Sequence, residues 1–239
     1  MAKTTSSKHT LGVLIFIVGI LCTTTLTIGL TWANLEAAFY GFQQTGSDRH
    51  LDGLSCPRLM TPYETGTINV SFSNPTPKAL TPIIRIDIST PSVADSSEEQ
   101  ISIPPGKTGQ VNHTVSSANI DLDFFIFAKA STYDSYPLPT SEATCGTLIL
   151  DISFLSGTQI FVLWLAFSLL FMPFGLWLWN TASTPDDYKM QNAARALALV
   201  GLLGLLIALQ GQWLLELPLL AVTLLLAMVI LGIKLNAPS

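Results

Sequence analysis

The 239-residue sequence predicts an α + β membrane protein with four transmembrane helices (1+3) and an extracytoplasmic β-sandwich between the first helix and the second. Three observations carry that expectation. Four apolar runs, at roughly residues 11–32, 160–179, 196–214 and 217–233, are each about 17–22 residues long. At 1.5 Å rise per residue this suffices to cross a hydrocarbon core of about 30 Å. The polar stretch between the first two runs alternates apolar and polar residues with period two, and the basic residues of the short flanks gather on one side.

The bulk composition agrees. Hydrophobic residues make up 49% of the chain and charged residues 11%, against about 25% charged in soluble domains. No run has a charged residue in its interior, where a charge would cost several kcal/mol. Residues 34–154 hold 6 Lys/Arg and 13 Asp/Glu, so this region carries −7 and the remainder is slightly positive. An acidic domain has no electrostatic footprint for nucleic acid and would not dock on anionic headgroups.

Residues 1–10 form a short N-terminal segment with Lys3 and Lys8, ahead of a first span over 11–33. That span exceeds the 7–15 apolar residues of a cleaved signal, and Thr31-Trp32-Ala33 is a poor cleavage site, so it reads as an uncleaved signal anchor. Cys22 within it is a small apolar residue, since Leu21 stands where a lipidated cysteine needs a small neighbour. Thr23, Thr24, Thr25, Thr27 and Thr31 can bond their own helix or a neighbour.

Residues 34–50 are expected as a juxtamembrane stalk, with Gly46-Ser47-Asp48 ending any extension of the first helix. Phe39, Tyr40 and Phe42 suit either an interfacial aromatic belt or a contact ridge for a partner. Residues 51–153 then form the sandwich. Ile68, Val70 and Phe72 alternate with polar neighbours, as do Ile84, Ile86 and Ile88; Ile101 and Ile103, Val111 and Val115, Leu122 with Phe124 and Ile126, and residues 143–150 supply further runs. Asn74-Pro75-Thr76-Pro77, Thr90-Pro91-Ser92 and Pro104-Pro105-Gly106-Lys107 break them as turns. Glu98 and Glu99 read as edge charges that discourage further pairing.

The second span is expected over 157–180, a cytoplasmic loop over 181–193, the third and fourth spans over 194–214 and 215–233, and a C-terminal segment over 234–239. Lys189 and Arg195 lie between the second and third spans and Lys234 follows the fourth, whereas Gln210-Gly211-Gln212-Trp213 has no basic residue. The positive-inside bias then places both termini in the cytoplasm and the sandwich outside, in the plasma membrane of a bacterial cell type. Pro173 and Gly175 are candidates to kink the second span, and Pro218 is read as a first-turn proline of the fourth. Ala194/Ala198 and Gly204/Ala208 have small-xxx-small spacing for close helix packing. The second span's Trp164, Phe167, Phe171, Phe174, Trp177 and Trp179 face lipid, or pigments or quinones of a larger assembly.

Cys56 and Cys145 are the only cysteines outside the spans and bracket the polar region. They lack C-x-x-C spacing and a histidine cluster, so the expectation is a structural disulfide. Closing a loop of about 90 residues removes on the order of 4–5 kcal/mol of unfolded-state entropy in the simple chain model. Such a bond would pin both ends of the sandwich close to its spans.

Few residues carry chemistry. His9, His50 and His113 are scattered, and no G-x-S-x-G, P-loop or dinucleotide pattern occurs. Asp121 and Asp123 are expected to share a strand face next to Asn119 and, with Asp134, can be drawn as a calcium site, against solvated loop carboxylates. Glu216 is expected in the hydrated turn beside Gln212. Asn69-Val70-Ser71 and Asn112-His113-Thr114 match the glycan acceptor triplet, which matters only in a eukaryotic secretory setting. No catalytic residue, metal ligand or cofactor site is assigned.

Strand, then Ser73-Asn74-Pro75-Thr76, then strand, followed by Ile103-Pro104-Pro105-Gly106-Lys107 running into Val111 and Val115, resembles bacterial and archaeal immunoglobulin-like modules of the CARDB or NEW3 type, over residues 65–115. The resemblance implies an immunoglobulin-like sandwich of the adhesion, spacer or scaffolding kind. No tryptophan lies between Cys56 and Cys145, which departs from the antibody pattern.

Three function classes follow. One is a non-catalytic accessory subunit of a larger membrane complex, with membrane lipids and other membrane subunits as partners and the outer domain as a protein-binding cap. Another is a permease-like or mechanotransmitting transporter subunit, since one span, an outer domain and three spans is the layout of MacB-type permeases. The third is a stand-alone adhesion or sensor protein. The first accounts best for a chain with binding surfaces and no reactive constellation.

Overall fold

The computed structural model describes residues 7–42, 49–51, 53–91, 94–133, 136–182 and 188–235. Lys3, Gly46-Ser47-Asp48, Ser92 and Asp134 lie outside them. The chain divides into two compact units: a helical one, Met1–Thr31 with Val162–Ser239, and a sheet-bearing one, Trp32–Phe161.

The helical unit contains α1 (Ser7–Phe39, whose last turns belong to the sheet unit), α2 (Gly157–Ala182), α3 (Tyr188–Ala208) and α4 (Trp213–Leu235). All four are long and apolar enough to cross a membrane. α3 begins and ends about six residues earlier than the expected 194–214. Gly211, at φ 74°, makes the turn that stops it, and Trp213 and Leu214, which the apolar run had joined to the third span, open α4. Pro218 therefore lies inside α4 rather than starting it, and its missing N–H leaves one helical bond unmade.

α1 and α2 meet through glycines. A methyl group added at Gly12, Gly19 or Gly175 would strike the backbone of the facing helix at Trp179, Met172 or Phe16. Phe16, Met172 and Trp179 are buried there together with Ala194, Leu197 and Ala198 of α3. The Trp164 indole donates to the Cys22 carbonyl at 3.0 Å. Thr23 and Thr25 donate back into α1, to the carbonyls of Gly19 and Leu21.

Among the described residues the sheet unit holds nine strands: β1 (Arg49–His50), β2 (Leu54–Ser55), β3 (Leu59–Met60), β4 (Gly66–Ser73), β5 (Ile83–Ile88), β6 (Asp95–Gln100), β7 (Thr108–Val115), β8 (Phe125–Tyr133) and β9 (Ser141–Ile149). One sheet runs β1-β9-β8-β5-β6, with β3 also pairing β9; the other runs β2-β4-β7. Their apolar faces contribute to one cluster. Ile68, Val70, Phe72, Val111 and Val115 come from the smaller sheet, and Ile84, Ile86, Ile88, Ile126, Ala128 and Ala143 from the larger. Period-two alternation on β4, β5 and β7 is the direct cause, because each strand then offers one apolar face to the shared core.

The turns expected around Asn74 and Gly106 interlock. The buried Asn74 amide donates to the carbonyls of Lys78 and Ile103, its Oδ1 accepts from Thr76, and its backbone carbonyl accepts from Gly106. Gly106 sits at φ 65°, where only glycine is unstrained.

Two strand expectations change. Ile101 and Ile103 form no strand of their own; Ile103 makes an isolated bridge to Leu80, and the preceding polar segment becomes β6. β6 pairs only β5 among the described residues, so Glu98 and Glu99 do sit on an edge strand. The run at Leu122 and Phe124 is a hairpin tip, not the start of a strand. Leu122 and Asp123 have φ of 50° and 65°, and β8 begins at Phe125.

Candidate functional site: the helix-covered end of the larger sheet

β8 is buried on both faces, and that explains why its alternation was misleading. Ile126, Ala128 and Ala130 enter the shared core, while Phe125 and Phe127 point the other way. There they pack with Ala33, Ala37 and Phe42 from the end of α1 and the segment after it. Small residues at Ala33 and Ala37, one helical turn apart, let the helix lie close to the sheet. A methyl on Gly146 of β9 would run into the Ala33 backbone, so Gly146 is where the two backbones come nearest. The Gly146 N–H donates to Asn34 Oδ1 at 3.2 Å.

The aromatic trio splits. Tyr40 rings against Phe127 (4.8 Å between centroids) and Phe42 (4.6 Å), and Phe42 is buried. α1 stops at Phe39, and the turn that follows folds both onto β8, where Phe42 is buried and Tyr40 is half-buried. Phe39 alone keeps an exposed ring, 73% accessible. The Tyr40 hydroxyl donates to Asp121 Oδ2 at 2.5 Å. Burial first, then the Asp121 carboxylate, pushes the Tyr40 phenol up to about 12.

That bond holds the hairpin tip. Asp121 bridges Phe125, and its other oxygen accepts from the Leu122 N–H. Leu122 (56% accessible) and Phe124 (60%) project outward, with a bulky leucine in the left-handed region. Asp121 and Asp123 do not share a strand face, because the tip turns between them. Among the described residues no group of three His, Cys, Asp or Glu is placed to hold a metal.

The Cys56–Cys145 disulfide is present, with the Cα atoms 6.0 Å apart. Cys145 lies on β9 next to Gly146, and Cys56 lies between β2 and β3. The entrance to α2 is fixed separately. Ser156 and Gln159 form a capping box, and Glu64 Oε1 accepts from the Gly157 and Thr61 amides, both at 2.7 Å. The Arg58 guanidinium lies 5.6 Å above the Phe161 ring.

In the helical unit the two small-residue pairs on α3 serve different neighbours. Ala194 and Ala198 pack with Phe16, Met172 and Trp179, whereas Gly204 faces α4. A methyl on Gly204 would lie 3.0 Å from Glu216 Oε1. Glu216 is fully buried, and neither carboxyl oxygen has a hydrogen-bond partner. This overturns the hydrated-turn expectation: α4 starts at Trp213, so Glu216 sits a turn inside it and fills the space that Gly204 leaves. Gly12 and Gly19 escaped the sequence reading, although their seven-residue spacing puts both on one helix face, and Gly175, read there only as a kink candidate, packs against the Phe16 backbone. His9 packs edge-on to Trp179, His113 lies 3.4 Å from Ser97, and His50 is exposed. Asn69 and Asn112 are cross-strand partners on the exposed face of the smaller sheet.

No family model matches this chain, and no curated protein matches it. Solved structures resemble part of the chain. Bacteroides uniformis β-glucuronidase is 13% identical over 40% of this chain and 12% of its own, with a TM-score of 0.32. A Paenibacillus cycloisomaltooligosaccharide glucanotransferase is 19% identical over 44% of this chain and 14% of its own, at 0.32. The CARDB domain of a Pyrococcus furiosus protein is 10% identical over 41% of this chain and 90% of its own, at 0.32. The chain thus spans about an eighth of the glucuronidase.

Proposed function

We propose that this protein is a non-catalytic accessory subunit of a larger membrane complex. Its four helices cross the membrane with both termini in the cytoplasm, and its sheet unit is an immunoglobulin-like sandwich on the other side that caps a protein partner. The observation that carries this reading is the apolar tip Leu122–Phe124 with Phe39. Phe39 adjoins Tyr40, and Leu122 and Phe124 follow Asp121 in the tip, so all three exposed side chains lie close in sequence to one partly buried hydrogen bond. A rigidly held, strained and exposed apolar group supports a binding role better than a spacer role.

The test is purification of the full chain from its native membrane in mild detergent, followed by native gel and mass spectrometry. A defined co-purifying subunit supports the reading, provided Leu122→Asp with Phe124→Ser releases it while leaving the fold intact. A lone monomer defeats it. A co-purifying ATPase assigns the chain instead to the transporter-subunit class.

A further inference from the structure

The helical unit contains a cavity of about 360 Å³ bounded by His9, Phe16 and Ile20 of α1, Trp179 of α2, Ala194 of α3 and Ile230 of α4. A volume of this size lies within the range of about 300–1,000 Å³ typical of small-molecule sites. Its walls are apolar except at one end, where His9 stands edge-on to the Trp179 indole at 6.2 Å. Along α1 the lining runs from His9 to Leu21, twelve residues, or about 18 Å of helix. That is close to half of a hydrocarbon core of about 30 Å, the depth of one leaflet.

We propose that this cavity holds one acyl chain of an anionic phospholipid, with its phosphodiester headgroup at the His9 end. The proposal rests on the membrane-spanning reading above. Three features favour that occupant. The cavity is open at its side, where Ile17 and Leu21 remain 43% and 57% accessible, so the second chain of a two-chain lipid can stay in the bilayer. The His9 end has cations beside its lining residues: Lys8 adjoins His9 and Arg195 adjoins Ala194, and His9 and Ala194 both line the cavity. Among the described residues of the helical unit the only acid is Glu216, fourteen residues before Ile230 and so about 21 Å along α4. A phosphate at the His9 end thus meets cations, while the apolar groove takes the chain.

The experiment uses the full chain in phosphatidylcholine vesicles, with Trp32, Trp164, Trp177 and Trp213 replaced by Phe so that Trp179 reports alone. Tail-brominated phosphatidylglycerol is titrated against tail-brominated phosphatidylcholine at equal mole fraction. Saturable quenching several-fold stronger with phosphatidylglycerol is expected, and Lys8→Gln should lower that preference about fivefold. Equal quenching by both lipids overturns the proposal, because it describes ordinary boundary lipid. Stronger quenching by a brominated fatty acid or by a quinone overturns it in favour of a single-chain ligand. Native mass spectrometry of the unsubstituted chain gives a second readout: phosphatidylglycerol should be retained over phosphatidylcholine, and Ala194→Met should remove it. Failure of the membrane reading shows separately, as protein that does not float with the vesicles.

Discussion

Asn34 and Gly146 lie 112 residues apart in sequence and share a hydrogen bond of 3.2 Å, from the Gly146 amide to the Asn34 side chain. The bond joins the end of α1 to the last strand of the larger sheet, one residue from the Cys56–Cys145 disulfide. The contact depends on glycine, since any side chain at 146 meets the Ala33 backbone. Gly146→Ala should therefore destabilise the sheet unit by roughly 1–3 kcal/mol, as overpacking does. Asn34→Ala removes the acceptor of the Gly146 amide without adding bulk and should cost about 1 kcal/mol. Urea unfolding of the full chain in micelles, followed by near-ultraviolet circular dichroism, ranks the two variants.

The disulfide makes a second, larger contribution. Its two cysteines are separated by 89 residues, and removing such a bond from a small domain typically costs about 2–5 kcal/mol. Cys56→Ser with Cys145→Ser should lower the unfolding free energy of the sheet unit by that amount. Protease digestion should then cut within the sheet unit while the four helices stay protected in the micelle. Equal resistance before and after the substitution would contradict a stabilising role.

Tyr40 supplies a test in alkali. Its phenol ionises near 10 when free and is pushed up to about 12 in the fold by burial and by Asp121. The folded state therefore holds the proton more tightly than the unfolded one. The stability this provides is complete below about pH 10 and falls away as pH rises toward 12. Tyr133 behaves in the same direction, raised to about 12 by burial and Glu98. Tyr40→Phe should flatten part of the stability loss between pH 10 and 12 and remove one late-titrating tyrosine from the absorbance at tyrosinate wavelengths. It should also cost about 1–2 kcal/mol at neutral pH, because Asp121 loses its donor.

What could be read from sequence follows the physics of each segment. Ile84, Ile86 and Ile88 announced their strand because one face is apolar and the other is not. Asp95–Gln100 has no apolar face, so nothing local marks it as β6; pairing with β5 makes it a strand. Phe125 to Ala128 is apolar on both faces because α1 covers the side away from the core, so alternation did not mark where the strand begins, and β8 starts at Phe125 rather than near Leu122. Cys56 and Cys145 were legible from their isolation outside the apolar runs. Tyr40 and Phe42 were not, since their direction depends on where α1 stops. Glu216 looked hydrated beside Gln212 until Gly204, on the facing helix, gave it a buried place.

Glu216 also supports the most discriminating substitution in the helices. A carboxyl group buried without a partner is costly, whereas an apolar side chain of similar size at the same position is not. Glu216→Leu should therefore stabilise the α3–α4 hairpin, raising the thermal midpoint in micelles by an amount equivalent to about 1–3 kcal/mol. Gly204→Leu should do the reverse, since its side chain would occupy the carboxyl's place and push α4 away. Combining Gly204→Leu with Glu216→Ala should recover much of the loss, because the two positions share one space and their effects cannot add. Strict additivity in this pair, measured by thermal denaturation of all four proteins, would show that Gly204 and Glu216 do not meet.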